Sequence, residues 1–361
     1  MKKIVTILGA RPQFVKAAVL SRVIQEQQEI EEVIVHTGQH FDTNMSAVFF
    51  QEMDIPKPAY NLNINSLSHG AMTGQMLEKI EAILIQESPD AVVVYGDTNS
   101  TIAGSLAAKK MQIKVIHIEA GLRSFNMNMP EEINRILTDR IADLLCCPTD
   151  AALLNLKNEG FDALPIQIDK NGDIMKDAVE FYSKTSAQKS NIISELNLTS
   201  NRFVLATIHR QENTDSSAKM KAIFDALEKI DSECTVILPL HPRTKKIIDE
   251  YQITPKITCI APVGYFSMLE LLKHCKMVIS DSGGLQKEAF FNKKHCIIAR
   301  EETEWVELVE HGFAEIVGSD FLKIVETFKK FESLDSDFSK ELYGNNVGES
   351  IHQSILSLLN K

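Results

Sequence analysis

Hydrophobic residues along this chain come in short unbroken runs separated by amphipathic segments. Unbroken runs lie at 4–8, 33–36, 91–95 and 115–118, then at 203–208, 235–239, 257–261, 277–280 and 296–299. Helical periodicity covers 13–27, 70–87, 100–110, 131–145, 218–230 and 267–275. Runs without alternation, spaced by helices, predict parallel strands covered on both faces. The pattern restarts after a polar stretch at 183–201, which reads as a linker-like surface segment. The expected class is α/β, with two Rossmann-like doubly wound parallel-sheet domains at 1–168 and 169–345 and a terminal helix at 346–361. Ligands are expected at the carboxyl ends of the strands and in a cleft between the domains.

Composition narrows the class. With 361 residues, 44% hydrophobic and 24% charged, each domain can bury its own core. No apolar run approaches the roughly 20 residues needed to cross a bilayer. The opening run 4–8 is too short for a signal-peptide core and lacks a small-residue cleavage site. The six cysteines show no CxxC spacing and are expected to be reduced and structural. A cytoplasmic protein is the expectation. The net charge of −11 argues against a nucleic-acid partner, yet leaves room for one small anionic ligand.

The richest chemistry lies in Ser280-Asp281-Ser282-Gly283-Gly284-Leu285-Gln286-Lys287-Glu288, where an apolar run turns directly into a helix. Unpaired N–H groups at a helix start, with glycine allowing close approach, suit a phosphate. Glu288 lies nearly two turns on, where it could hold the paired hydroxyls of a ribose. Other polar residues also cluster where strands end. They include Gly9-Ala10-Arg11-Pro12 with Lys16, Gly96-Asp97-Thr98, Glu119 to Arg123, His209 to Asn213, and His241-Pro242-Arg243. Pro130-Glu131-Glu132 opens a helix, with Arg135 four residues beyond Glu131.

Each has an ordinary reading. Asp97 could cap the helix near Thr98, and Glu131 with Arg135 could be a plain i,i+4 pair. Arg11 and Lys16 could be solvated charges, and His209 a hydrogen-bonded core residue. Glu119 is harder to dismiss, because it follows Val115-Ile116-His117-Ile118 and should be partly buried. So many polar residues at strand ends favour a site.

Taken in order, these motifs resemble the non-hydrolysing UDP-N-acetylglucosamine 2-epimerase family from Gly9 through Trp305. The landmarks also include Thr37-Gly38-Gln39-His40, His117-Ile118-Glu119-Ala120-Gly121-Leu122-Arg123, Pro130-Glu131-Glu132-Ile133-Asn134-Arg135 and Thr303-Glu304-Trp305. The resemblance implies a GT-B architecture, a C-terminal helix returning to the first domain, a homodimer, and no metal or nicotinamide. It also implies elimination of UDP across C1–C2, a 2-acetamidoglucal intermediate, and re-addition with a proton delivered to the other face of C2. Asp97, Glu119 and Glu131 match the family's acids and bases, with the order of proton transfer left open, and His209 matches the group assisting the leaving UDP. Arg11 would contact the pyrophosphate, with Lys16 and Arg135 tuning the carboxylates. Ser282, Gly283 and Gly284 would cradle phosphates, His241 would join the nucleotide site, and Glu288 would hold the ribose.

The departures point to a narrower branch. Many members read Gly-Thr-Arg-Pro-Glu and Trp-Pro-Glu-Glu, whereas this chain has Gly9-Ala10-Arg11-Pro12-Gln13 and a loop Ser124-Phe125-Asn126-Met127-Asn128-Met129. Asp42, Ser68 and His69 replace basic or amide groups usual in members activated by a second sugar nucleotide. These features resemble enzymes that epimerise UDP-2,3-diacetamido-2,3-dideoxyglucuronate for surface polysaccharides. A sugar carboxylate would want a cation, and Arg123, Arg210 and Arg243 are the candidates. UDP-N-acetylglucosamine itself is the alternative sugar. A GT-B glycosyltransferase would share the phosphate site without needing three clustered carboxylates. A binding-only sensor would not need an acid/base set, and a hydrolysing epimerase differs at the Gly9–Gln13 start.

Overall fold

The computed structural model describes residues 1–39, 53 and 55–361, leaving out the Arg11 side chain. These residues form two compact units, Met1–Ala178 with Glu341–Lys361, and Val179–Lys340. The first holds a sheet of β1 (Lys2–Leu8), β2 (Ile30–His36), β3 (Tyr60–Asn61), β4 (Ala91–Tyr95), β5 (Lys114–Ile118), β6 (Leu144–Cys147) and β7 (Gln167–Lys170). Its order is β3-β2-β1-β4-β5-β6-β7, with every pairing parallel. The central strands Ala91–Tyr95 and Val115–Ile118 are fully buried, as their unbroken apolar runs require.

The second unit repeats the plan with six strands. They are β8 (Phe203–Thr207), β9 (Thr235–Pro239), β10 (Thr258–Ile260), β11 (Val278–Ser280), β12 (Cys296–Ile298) and β13 (Ala314–Ile316). The order is β10-β9-β8-β11-β12-β13, again parallel throughout. Each sheet therefore reverses direction of growth once, between β1 and β4 in the first and between β8 and β11 in the second. Open α/β sheets bind ligands at such points, beyond the carboxyl ends of the strands.

Two expectations need correction. The helix read over 131–145 is the helix Pro130–Ile141, and Leu144–Cys147 is β6. Asp143 separates them: its amide donates to the Val115 carbonyl at 2.8 Å, and its carboxylate accepts from Val115 N–H at 2.8 Å. The polar stretch at 183–201 is not a loose linker, because much of it lies in the helices Ile174–Lys189 and Ile192–Glu195.

The expected division at 168 falls within β7. Beyond it, Asp173 N–H donates to the Tyr343 carbonyl at 2.9 Å, and Asn171 Nδ2 donates to the Ser350 and Ser354 hydroxyls at 2.9 and 3.0 Å. Those bonds tie residues 171–178 and the terminal segment to the first unit. The helix Val347–Leu359 packs on the helix Arg11–Gln27, where a Cβ at Gly348 would lie 2.9 Å from Val19. Among the described residues, no helix is long and apolar enough to cross a membrane.

Candidate functional site

In the first unit the polar residues gather at the β1–β4 switch point. Past β1 the chain turns at Gly9, where a Cβ would collide with the Ser100 and Thr37 hydroxyls. Gln13 then binds both strand ends together. Its Oε1 accepts from the Gly9 and Ala10 amides at 2.7 and 3.0 Å, and its Nε2 donates to the Tyr95 carbonyl at 2.8 Å. One turn on, the buried Lys16 ammonium forms an ion pair with Glu119.

Glu119 holds a left-handed backbone conformation, φ +71°, with its amide donating to the Cys146 carbonyl at 3.1 Å. For a residue with a side chain such a conformation costs of order 1–3 kcal/mol, and the surrounding structure must enforce it. Gly96, at φ +59°, ends β4 beside it: a Cβ there would lie 3.4 Å from Glu119 Oε2.

Asp97 follows, and it does not cap the helix Asn99–Lys110. Thr98 does, its side chain accepting from Thr101 N–H. The Asp97 carboxylate instead pairs with Arg135, and its carbonyl accepts from Asn134 Nδ2 at 2.9 Å. Arg135 also donates to Glu132 Oε2 at 2.9 Å. Glu131 is thus not the partner of Arg135. It lies half-buried at the helix start and makes no side-chain hydrogen bond or ion pair among the described residues. Lys16 and Arg135 are buried ion-pair partners rather than solvated charges.

The fully buried Glu132 is a residue the motifs gave no role. One oxygen accepts from the Ser124 amide at 2.9 Å and hydroxyl at 3.0 Å, the other from the Phe125 amide at 2.9 Å. It thereby fixes the start of the Ser124–Met129 loop beside the Asp97 pair. Phe125 there sits at φ +59° with its ring 74% exposed.

The second unit has its own cluster at the β8–β11 switch point. Thr207 and Ser280 join the two strand ends through their hydroxyls at 2.6 Å. The helix Gly283–Phe291 starts directly after β11, with Ser282 at its N-cap making no side-chain cap bond. The hydroxyl therefore leaves the first helical amides available to an anion. Glu288 lies half-buried farther along this helix.

Asp281, fully buried, organises the loop after β8. It accepts from the His209 amide at 3.0 Å, the Arg210 amide at 2.9 Å and Asn213 Nδ2 at 3.1 Å. The His209 ring is one-third exposed, with Nδ1 3.6 Å from Asp281, and lies 5.3 Å from the His241 ring. Burial pushes His209 below the usual histidine range and Arg210 adds to this, outweighing the pull of Asp281. His241 is exposed and starts the helix Pro242–Glu250, its Nδ1 accepting from Arg243 N–H at 3.2 Å.

The three arginines proposed for a sugar carboxylate separate clearly. Arg123 is buried and fully used, by Asp139 at 2.7 Å and by Glu159 through two bonds at 2.7 and 2.8 Å. Arg243 pairs with Asp215 at 2.5 Å and Thr214 at 2.8 Å. Arg210 makes no side-chain bond among the described residues, and its guanidinium would lie 3.8 Å from a Cβ at Gly283. That places an uncommitted cation beside the start of the helix Gly283–Phe291. The Arg11 side chain, His40 and Asp42 lie outside the described residues. Ser68 is the N-cap of the helix His69–Glu87, and His69 Nδ1 lies 3.2 Å from Asn99 Nδ2.

Comparison with known proteins decides the family. Residues 22–356 match the family described as UDP-N-acetylglucosamine 2-epimerase. The chain belongs to this family. It is 49% identical to the UDP-2,3-diacetamido-2,3-dideoxy-D-glucuronate 2-epimerase of Pseudomonas aeruginosa, covering 96% of this chain and 97% of that one. It is 39% identical to the UDP-N-acetylglucosamine 2-epimerase of Methanocaldococcus jannaschii, covering 97% of each. A crystal structure of the M. jannaschii enzyme in complex with UDP-GlcNAc and UDP matches with a TM-score of 0.91 at 40% identity, over 98% of this chain and 99% of that one. The fold class is therefore α/β and GT-B-like, with two parallel-sheet units.

Proposed function

We propose that this epimerase-family protein inverts C2 of a UDP-2-acetamido sugar, converting UDP-2,3-diacetamido-2,3-dideoxyglucuronate to its manno epimer. The C2 hydrogen is too weakly acidic for simple exchange. In the proposed reaction a base removes it as the C1–O bond to UDP breaks, giving a 2-acetamidoglucal. UDP then re-forms the C1–O bond while an acid delivers a proton to the opposite face of C2. Such chemistry needs acids and bases around the sugar and neutralisation of the departing pyrophosphate.

The observation that carries this reading is the group of carboxylates at one switch point. Asp97 and Glu119 are each paired with a buried cation, and Glu131 stands unpaired on the helix that supplies Arg135. A glycosyltransferase needs no such set. Asp97, Glu119 and Glu131 serve as the acid/base residues, with Lys16 and Arg135 paired to two of them. In the second unit, Ser282, Gly283, Gly284 and Arg210 hold the phosphates, Glu288 the ribose, and His209 and His241 the leaving diphosphate. Arg11 joins the pyrophosphate contacts. The enzyme works as a cytoplasmic homodimer supplying a sugar nucleotide for surface polysaccharide.

The 49% identity to the P. aeruginosa diacetamidoglucuronate enzyme supports this sugar. A second reading, UDP-N-acetylglucosamine, is favoured by the arginines: Arg123 and Arg243 are committed to protein carboxylates, and Arg210 lies by the phosphate-binding helix. Proton NMR in deuterated water with each UDP-sugar separately tests both. Deuterium at C2 with a manno product from the diacetamidoglucuronate supports the first. Turnover of UDP-N-acetylglucosamine alone replaces it with the second, and exchange with neither overturns both.

A further inference from the structure

Asp97 is held by two consecutive residues of one helix. Arg135 pairs with its carboxylate, and Asn134 Nδ2 donates to its main-chain carbonyl at 2.9 Å. A carbonyl oxygen only accepts, so the donor end of the Asn134 amide must face it. The second amide proton faces Asn99 Oδ1 at 3.4 Å. Asn99 is itself buried, and its Nδ2 lies 3.2 Å from His69 Nδ1 and 3.5 Å from Met72 Sδ. The Asn134 amide is therefore fixed in direction as well as in place.

The other bonds of this turn lead elsewhere. Gln13 Nε2 donates to the Tyr95 carbonyl at 2.8 Å and to the Thr98 hydroxyl at 3.0 Å, one on each side of Gly96-Asp97. Gly96 N–H donates to the Ile118 carbonyl at 2.9 Å. The helix Asn99–Lys110 begins at the Thr98 carbonyl, which accepts from the Thr101 and Ile102 amides at 3.0 and 3.2 Å. The Asp97 carbonyl lies between the end of β4 and this first helical acceptor, outside the bonding of either. Gln13 and Gly96 tie the turn to the sheet. Asn134 ties it to the helix Pro130–Ile141, which also carries Glu131.

We propose that Asn134 is a positioning residue: with Arg135 it locks the Asp97 turn to the helix carrying Glu131, and so holds the two carboxylates at one spacing. Two points of attachment do what one would not. An ion pair alone lets the Asp97 side chain follow Arg135 by rotating about its own bonds, while a bond to the main chain removes that freedom. Removing a proton from one face of C2 and delivering one to the other needs acid and base groups that keep their places around the sugar. Magnitudes separate this role from plain stabilisation. One neutral hydrogen bond from a half-buried side chain adds little to the stability of a whole unit. A shift of about 1 Å in a reacting group can cost about 100-fold in rate. Asn134 touches no substrate in this scheme, and the inference rests on the proposed roles of Asp97 and Glu131.

Asn134→Asp keeps the shape without the amide donor, and Asn134→Ala removes the group. Backbone hydrogen exchange of the intact protein, read by mass spectrometry, tests the clamp apart from any reaction. Residues 96–102 should exchange faster in both variants, and unchanged exchange there in either one overturns the clamp. Kinetics with whichever UDP-sugar the unmodified enzyme turns over then test its purpose. Both variants should lower kcat about 10- to 100-fold, with KM and UDP affinity within about twofold and the denaturant midpoint little changed. Unchanged kcat in either variant overturns the positioning role. So does a joint loss of kcat, UDP affinity and denaturant midpoint, which would mark general loosening of the unit. If the unmodified enzyme turns over neither UDP-sugar, the proposed reaction fails, while the exchange measurement still decides the clamp.

Discussion

The guanidinium of Arg135 is bonded to Asp97, a residue at the end of a different strand, and not to Glu131 one turn before it on its own helix. A cation held to one carboxylate leaves the other free to exchange protons. Asp97→Asn, Glu119→Gln and Glu131→Gln should each reduce turnover by at least about 100-fold, the contribution expected of a positioned acid or base. UDP affinity, measured by calorimetry, should stay within about twofold. Retained turnover in any one variant removes that residue from the acid/base set.

In the proposed reaction Arg210, beside the start of the helix Gly283–Phe291, neutralises phosphate. Arg210→Gln should weaken UDP binding about tenfold, the effect of about 1.4 kcal/mol and within the range of a charge-assisted hydrogen bond. Its affinity should also depend less on salt. If UDP binds the variant as before while the diacetamidoglucuronate binds poorly, the arginine serves the sugar carboxylate instead.

Glu132 joins the Ser124–Met129 loop to Arg135 from a site with no exposure. Removing one partner of a buried, hydrogen-bonded ion pair costs about 3–5 kcal/mol. Glu132→Ala should lower the denaturant midpoint of the first unit accordingly. Glu132→Gln can still accept at the loop amides, and should raise KM for the sugar nucleotide with a smaller loss of stability. An unchanged midpoint in Glu132→Ala would show that the pair does not hold this region.

Acid should loosen the terminal helix. His352 is fully buried in Val347–Leu359, with neither ring nitrogen hydrogen-bonded, and burial lowers its pKa. In the unfolded chain it takes up a proton near the ordinary pKa of about 6.5, but in the folded chain only at lower pH. The unfolded state then binds more protons, so stability falls as pH drops below that value and is unaffected above it. His352→Leu should flatten part of this decline, read as urea midpoints at about pH 7.5 and 5.5. An identical decline in the variant would assign it to His36, His209 and His295, which burial also lowers.

The centre of each sheet was legible because strands such as Ala91–Tyr95 and Phe203–Thr207 are apolar on both faces. Edges were not. Gln167–Lys170 carries three polar residues, Tyr60–Asn61 is a two-residue bridge, and Ala314–Ile316 is too brief for a periodicity to register. Leu144–Cys147 was absorbed into the preceding helix because Leu and Cys continue an apolar pattern as readily as they begin a strand. At the site, strand ends located the charged residues, but not their partners. Adjacent acids at 131 and 132 differ by 100° around a helix, and only packing chose Glu132 for Arg135. The His117–Asp139 bond joins residues 22 positions apart, with no spacing rule to announce it.

The return of Glu341–Lys361 to the first unit has a consequence for synthesis. A ribosome delivers the second unit whole before it delivers the helix that covers the helix Arg11–Gln27. Domains generally fold as they emerge, N-terminal first. Here the earlier unit must wait, its Val19 face uncovered, while the later one can already be native. The nascent chain therefore passes through a stage in which the unit Val179–Lys340 is finished and the unit that begins at Met1 is not.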